Sequence, residues 1–241
     1  MKIIEYNNKD DIMVEFQDEY KAKIHTNFQA FSKGVVKNPY YSSIYGIGII
    51  GIKYPSEING RTTKEYDVWH SVIQRCFDVD YQEKQPTYKV AKICDEWLLY
   101  DNFYEWLHNQ GNFDKWFNGE RWAIDKDILV KGNKIYSPDT CCLVPQNINS
   151  LFTNRKNYRG NLPIGVKKHG NKFVAQCMNP FTNNNKQEYL GIYTKPEKAF
   201  YVYKNYKEDI IKRVANLEYS KGNITKQCYD AMMKYEIEIT D

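Results

Sequence analysis

The residues best suited to chemistry are a run of cations between positions 155 and 204. This stretch carries ten lysines and arginines against two glutamates, a net charge of +8 in a chain whose total is +4. Tyr158, Phe173, Tyr189 and Tyr193 are interleaved with the cations. Lysine and arginine side chains that contact phosphates release counterions from a nucleic acid, which supplies affinity. The pattern therefore predicts a polyanionic partner, and a solvated lysine-rich surface is the alternative.

These cations are carried by a segment whose pattern predicts a small antiparallel sheet. Apolar residues alternate over residues 163–166 and over Lys172–Met178, and between them Gly170 and Asn171 can adopt positive φ, which is typical of a hairpin turn. A third strand is expected over residues 188–193, after a polar loop.

A helix is predicted to follow this sheet over residues 195–216. Thr194 is the expected N-cap, because Pro196 lies in the first turn and Glu197 lies three residues after the cap. The apolar positions expected to form a core between sheet and helix are Val166, Phe173, Ala175, Leu190, Ala199, Val202 and Tyr203.

Five short motifs lie along this segment: Tyr158-Arg159-Gly160, Gly165-Val166, Lys172-Phe173-Val174-Ala175, Leu190-Gly191-Ile192-Tyr193-Thr194 and Glu197-Lys198-Ala199. Together they resemble the ethylene-response-factor (APETALA-type) DNA-binding domain, a three-stranded sheet backed by one helix. In that family the sheet enters the major groove of double-stranded DNA. The resemblance implies a contact set of Arg155, Arg159, Lys167, Lys168, Lys172, Gln176 and Tyr193.

The middle of the chain is rich in aromatic residues at helical spacing. Residues 64–77 place Tyr66, Trp69, Ile73 and Phe77 on one face, which predicts an amphipathic helix, and residues 94–107 repeat the pattern. Large aromatic side chains at such spacing are typical of a packed core rather than of a base-stacking platform.

A second candidate site follows these helices. The pattern predicts a strand over residues 122–127, a turn over residues 131–133, a strand over residues 141–144 and a helix from Pro145. This order resembles the ββα-metal core of HNH endonucleases, which occur in bacteriophage and mobile-element proteins beside domains of the APETALA type.

The HNH resemblance implies metal ligands and a general base. Asp125, Asp127 and Asn149 match the positions that hold one divalent ion, Mg²⁺ in an active site, and Lys126 occupies the place of the histidine that takes a proton from water. A lysine of ordinary pKa is protonated at neutral pH and cannot accept that proton. We therefore expect a degenerate HNH scaffold. The alternative is an active Mg²⁺-dependent homing or nicking endonuclease.

A structural role for the two aspartates is also open. Asp125 and Asp127 are expected, on that alternative, to cap the turn that follows them and to pair with Lys131 or Lys134.

The six cysteines are scattered and include no Cys-x-x-Cys pair, so neither a disulfide framework nor a structural Zn²⁺ site is expected. His70, Cys76, Cys94 and either Cys141 or Cys142 are the residues that a zinc ion would require. Buried free thiols are the favoured interpretation.

A glycine pattern at residues 46–51 spells GxGxxG but does not predict a dinucleotide site. The segment that follows contains Pro55 and Gly60 and has no helical pattern, whereas that fingerprint requires a helix opening at the glycines. Close approach of backbone to another element is the expected reason for these glycines.

Taken together, the sequence predicts an α+β protein with three segments: a β-rich accessory module over residues 1–61, an HNH-like domain over 62–156, and an APETALA-type domain with a helical extension over 157–241. The chain shows no membrane-spanning apolar run and no leader, so a soluble protein of the host cytoplasm, encoded by a phage or mobile element, is expected. Double-stranded DNA is the predicted partner. Docking on a host protein through the aromatic middle segment is the alternative.

Overall fold

The computed structural model describes residues 1–119, 121–153, 160–182 and 186–241. Contacts divide the chain into two compact units, the first comprising Met1–Asn109 and Lys134–Pro138, the second comprising Gln110–Asn133 and Asp139–Asp241. Short, mostly antiparallel sheets and separate helices make the class α+β, as predicted. The three-segment division at 61/62 and 156/157 stays a prediction, and the two units divide the chain at other positions.

The first unit begins with an antiparallel sheet in the order β1, β2, β3, where alternation along β2 buries Ile12 and Val14. Strands are present in residues 1–61, for which the sequence predicts a β-rich module. The strands and the short helix of this region are β1 (Lys2–Asn8), β2 (Asp11–Glu15), β3 (Lys23–Thr26), α1 (Phe28–Ser32), β4 (Glu57–Ile58) and β5 (Arg61–Thr62).

Helix α2 (Lys64–Phe77) has the bounds that the sequence predicts. Thr63 caps it, since its Oγ1 accepts a hydrogen bond from the Tyr66 amide at 3.2 Å. Trp69 and Ile73 are fully buried, and the indole of Trp69 donates to the Trp97 carbonyl at 2.7 Å. The remaining elements of the unit are α3 (Val79–Lys84), a 3₁₀ turn (Pro86–Tyr88), β6 (Lys92–Ile93), a 3₁₀ turn (Asp95–Leu98), α4 (Tyr100–His108) and β8 (Ile135–Tyr136), which pairs with β6 in parallel.

The continuous helix predicted over residues 94–107 is wrong, because Leu99 is extended and separates the second 3₁₀ turn from α4. Ile49 explains the break: its amide donates to the Leu98 carbonyl and its carbonyl accepts from the Tyr100 amide, both at 2.8 Å. A strand-like bridge from a distant segment therefore interrupts the helical hydrogen bonds.

The glycine-rich segment before α2 forms turns and isolated bridges, and within the described residues no helix opens at these glycines. Gly48 lies so close to Trp69 that a Cβ there would sit 3.0 Å from the indole ring. Gly51, at φ +82°, lies against the Asp101 carboxylate. Glycine at these two positions lets the backbone lie close to the neighbouring side chains, as the sequence predicts.

The second unit contains the strand, turn, strand, helix order and then the C-terminal sheet. Strands β7 and β9 pair antiparallel, and β10, β11 and β12 form a three-stranded antiparallel sheet followed by α7. Its elements are α5 (Phe113–Phe117), β7 (Trp122–Asp125), β9 (Cys142–Pro145), α6 (Gln146–Leu151), β10 (Val166–His169), β11 (Lys172–Met178), β12 (Gln187–Tyr193), α7 (Pro196–Ser220) and α8 (Lys226–Met233).

Two predicted boundaries in the C-terminal segment are corrected. The first strand runs over Val166–His169 rather than over residues 163–166, because Gly165 adopts φ +76° and ends the extended run before it. The N-cap of α7 is Lys195 rather than Thr194, and it makes no side-chain capping bond. Proline at the first helical position fixes that start instead.

One hydrophobic core joins β9, α6, the three-stranded sheet, α7 and α8 of the second unit. It contains Val144 of β9, Ile148 of α6, Ala175 of β11, Phe200 of α7 and Met232 of α8. All seven apolar positions predicted to lie between sheet and helix belong to this core or pack against it. No helix among the described residues is both long enough and apolar enough to cross a membrane.

Candidate nucleic-acid interface

The pairing register assigns the predicted DNA contacts to the two faces of the C-terminal sheet. Ala175 and Cys177 of β11 are buried on the side where α7 packs. Successive strand residues point to opposite faces, so Gln176 and Lys172 point away from α7, and Lys167 does the same because it pairs with Val174. Three of the predicted contacts therefore share one face, which we call the outer face.

Lys168 and Tyr193 belong to the other side of the sheet. Both pair with Phe173, which packs against the core under α7. The Tyr193 hydroxyl donates to the Leu190 carbonyl at 3.0 Å, which holds the ring in a half-buried position. Lys168 is exposed near the hairpin end. Arg155 and Arg159 lie outside the described residues.

Further side chains complete the outer face by the same register, namely His169, Val174, Met178, Tyr189 and Ile192. Tyr189 lies opposite Gln176 and is 65% exposed. A bulge between Ala175 and Gln176 shifts the pairing with β12 and so decides which residues of β12 point outward. Alternation in the sequence does not reveal the bulge, although Tyr189 is visible as an aromatic residue within the basic run.

The outer face is cationic without compensating acids. In the part of the chain that the structure describes, Lys167 and Lys172 make no ion pair, and no carboxylate shares their face. Glu188 of β12 is turned toward α7 and accepts a hydrogen bond from Tyr206. Burial, together with this bond to Glu188, raises the pKa of Tyr206. No described ion pair therefore competes with a ligand for these two lysines.

The second candidate site lies in the β7–β9 pair and the turn after β7. Asp125 ends β7 opposite Cys142 and is buried. Its Oδ1 accepts from the amides of Asp127 at 2.7 Å and Ile128 at 2.9 Å. Burial raises the pKa of Asp125, and these two amide donors oppose the rise. Asp125 therefore caps the turn, as the structural alternative predicted.

Lys126, at the position of the expected general base, is held by the same turn. Its Nζ lies 2.6 Å from Asp127 Oδ2 and donates to the Asn133 carbonyl at 3.0 Å, while its side chain is only 11% exposed. The Asn133 amide donates back to the Lys126 carbonyl at 2.8 Å. Asp127 thus pairs with Lys126 rather than with Lys131 or Lys134. Lys131 pairs with Asp241 at 2.8 Å.

The position of Lys126 disfavours a divalent ion at Asp127. The Lys126 ammonium already neutralises Asp127, so a metal bound there would meet a positive charge at close range. Asn149, the third predicted ligand, is half-buried on α6, which packs against β7 and β9. Among the described residues, no three His, Cys, Asp or Glu side chains are gathered where they could hold a metal ion.

The cysteines are unbridged thiols. Cys141, Cys142, Cys177 and Cys228 are buried as expected, whereas Cys76 and Cys94 are half-buried. A hydrogen bond with Cys228, together with burial, raises the pKa of Cys142 well above its usual value. The thiols of the second unit therefore belong to its core rather than to a reactive site.

Comparison of the chain with known protein families, with curated proteins and with solved structures gives no match.

Proposed function

We propose that this protein binds double-stranded DNA through the outer face of the β10–β12 sheet. The observation that carries the proposal is that Lys167 and Lys172 share this face with no carboxylate. Lysines that pair with nearby carboxylates are typical of a surface with a structural role. Lysines without nearby carboxylates attract phosphates more strongly. The resemblance of the segment to the APETALA-type domain supports the same partner.

The dimensions of the sheet support entry into the major groove. Neighbouring strands lie about 4.8 Å apart, so three strands span roughly 10 Å. The major groove of B-DNA is about 12 Å wide. This similarity in scale supports insertion of the sheet with its outer face toward the base edges.

The side chains of the outer face divide into two roles. Lys167 and Lys172 lie beside the hairpin turn and suit contacts with phosphates, which position the protein without reading sequence. Gln176 has the amide geometry that reads adenine, and the neighbouring Met178 and Ile192 offer apolar contact to thymine methyl groups. We propose that these residues give a preference for A·T-containing sites.

The test of this proposal removes the outward charges. We expect the Lys167→Ala/Lys172→Ala variant to bind duplex DNA at least roughly tenfold more weakly at low salt, with the slope of log K against log salt reduced by about two, since each phosphate contact contributes about 0.9. Adding Lys168→Ala is expected to abolish measurable binding. Gel-shift titrations over a series of salt concentrations measure both quantities.

The matched control is Lys212→Ala, which removes an exposed lysine from α7. We expect it to leave the affinity and the slope unchanged. If the control weakens binding as much as the double variant does, the attraction comes from overall charge and the outer face is not the interface. Circular dichroism confirms that the variants are folded.

For the β7–β9–α6 segment we propose a scaffold that does not cleave DNA. The Asp125 and Lys126 contacts within the turn support this proposal over an active Mg²⁺-dependent endonuclease. We expect supercoiled plasmid to stay intact with Mg²⁺ or Mn²⁺. Cleavage that disappears in Asn149→Ala, while the fold and DNA binding persist, would instead show that the endonuclease is active.

A DNA-binding role also bears on compartment and origin. A partner of this kind favours the cytoplasm of the cell that holds the DNA, and the paired resemblances favour a phage or mobile-element protein. Both remain part of the proposal.

A further inference from the structure

A cavity of about 410 Å³ lies within the second unit, where the hairpin strand β10 ends before its neighbour does. The pairing of β10 with β11 stops at Val166 and Ala175, so the last residues of β11 have no strand beside them on that edge. One backbone hydrogen bond continues beyond this pair, since the Gln176 backbone amide donates to the Gly165 carbonyl at 3.0 Å. The end of α6 and one face of α7 complete the walls.

Lys207 of α7 lines this cavity and is only 8% exposed. It makes no hydrogen bond or ion pair with any residue that the structure describes. Burial lowers its pKa, and the neighbouring Cys177 opposes that effect. Buried lysines are normally paired, because an uncompensated ammonium in a protein interior is costly.

The groups facing Lys207 do not supply a counter-charge. Cys177 carries a protonated thiol, since burial raises its pKa to about 11. Glu188, the acid on the neighbouring strand, makes no described ion pair with Lys207 and instead accepts a hydrogen bond from Tyr206. The ammonium therefore has three donors that no described acceptor engages, beside this cavity.

We infer that this cavity binds a small organic anion whose carboxylate or phosphate oxygens accept hydrogen bonds from Lys207 Nζ. A charge-assisted bond of this kind is strong where solvent is excluded, and it would provide the missing counter-charge. The inference does not depend on DNA binding, because Lys207 belongs to the α7 side of the sheet.

The rest of the lining suits the body of such a molecule. Leu151, Ile164 and Val166 provide apolar surface, and the hydroxyl-bearing residues Ser150 and Thr153 line the same cavity. Pockets that bind small molecules combine a mainly apolar wall with a few polar groups and start at about 300 Å³. The cavity therefore accepts one aromatic or sugar-sized ring attached to the anionic group.

The test uses benzoate, phenyl phosphate and benzyl alcohol as probes with the full-length protein. These molecules share a ring and differ in carrying a carboxylate, a phosphate or no charge. We expect isothermal titration calorimetry to detect binding of at least one anionic probe, and we expect benzyl alcohol to bind roughly tenfold more weakly or not at all. The comparison of the two anions identifies the preferred group.

The variant that isolates the charge is Lys207→Met, which keeps the length of the side chain. We expect its affinity for the anion to fall by roughly tenfold or more. We also expect it to fold, because the substitution removes an uncompensated buried charge. Lys212→Met, on the exposed side of the same helix, is expected to bind the probes as the unmodified protein does.

Three outcomes would overturn the inference. These are no binding of either anion at millimolar concentration, equal binding of benzyl alcohol, and unchanged anion binding in Lys207→Met. If Lys207→Met does not fold, Lys207→Arg is the second variant. It keeps the charge and is expected to keep the preference for the anionic probes over benzyl alcohol. Loss of that selectivity in a folded Lys207→Arg protein also contradicts the inference.

Discussion

Gly165→Ala is expected to lower the free energy of unfolding of the second unit by about 3 kcal/mol or more. Gly165 has φ +76°, which costs a residue with a Cβ about 1–2 kcal/mol. The new Cβ would also lie 2.0 Å from a ring carbon of Tyr203. That ring is 5% exposed and belongs to the core, so displacing it would cost packing contacts.

The control separates the two causes. Gly170 also has positive φ, +58°, but a Cβ there meets nothing within 4 Å. Gly170→Ala should therefore cost only about 1 kcal/mol, from the backbone conformation alone. Urea unfolding followed by circular dichroism measures both variants. Equal losses in the two variants would mean that contact with Tyr203 contributes nothing.

The second large effect is expected for Asp101→Ala in the first unit, about 3 kcal/mol. Asp101 lies in the first turn of α4, is 5% exposed, and accepts from three consecutive backbone amides, those of Ile52, Lys53 and Tyr54, at 3.2–3.3 Å. Alanine would leave these amides without an acceptor and would remove a carboxylate that is favourable at a helix start.

A matched control lies one turn along the same helix. Glu105 pairs with Lys53, and both side chains are largely exposed, so Glu105→Ala should change the stability little. Hydrogen exchange is expected to show the amides of residues 52–54 losing protection in Asp101→Ala and keeping it in Glu105→Ala. If Asp101→Ala unfolds at the same urea concentration as the control, the carboxylate does not anchor this loop.

Local signals explain which elements the sequence predicts well. The bounds of α2 follow from Thr63 as cap and from apolar spacing, both of which are readable within one stretch of chain. The helix predicted over residues 94–107 is broken by Ile49, which is distant in sequence and leaves no local sign. The predicted start of β10 is wrong because Gly165 adopts a positive φ, and neither this conformation nor the close approach of Tyr203 is visible in the local sequence.

The candidate interface was predictable in composition but not in geometry. The sequence shows which lysines are close together, whereas the β10–β11 register decides that Lys167 and Lys172 share a face and that Lys168 does not. The bulge after Ala175 decides which side chains of β12 join them. Lys207 carries no sequence signal, because its isolation results from the early end of β10. The role of Lys126 in the turn also depends on the Asn133 carbonyl, seven residues away.

The interleaving of the two units has a consequence for the order in which the protein forms on the ribosome. The first unit includes Lys134–Pro138, and it is this segment that supplies β8 as the parallel partner of β6. Residues 110–133, which belong to the second unit, must be synthesised before that partner emerges. Domains commonly fold from the N-terminus as the chain appears, but here the first unit is completed only after part of the second has left the exit tunnel.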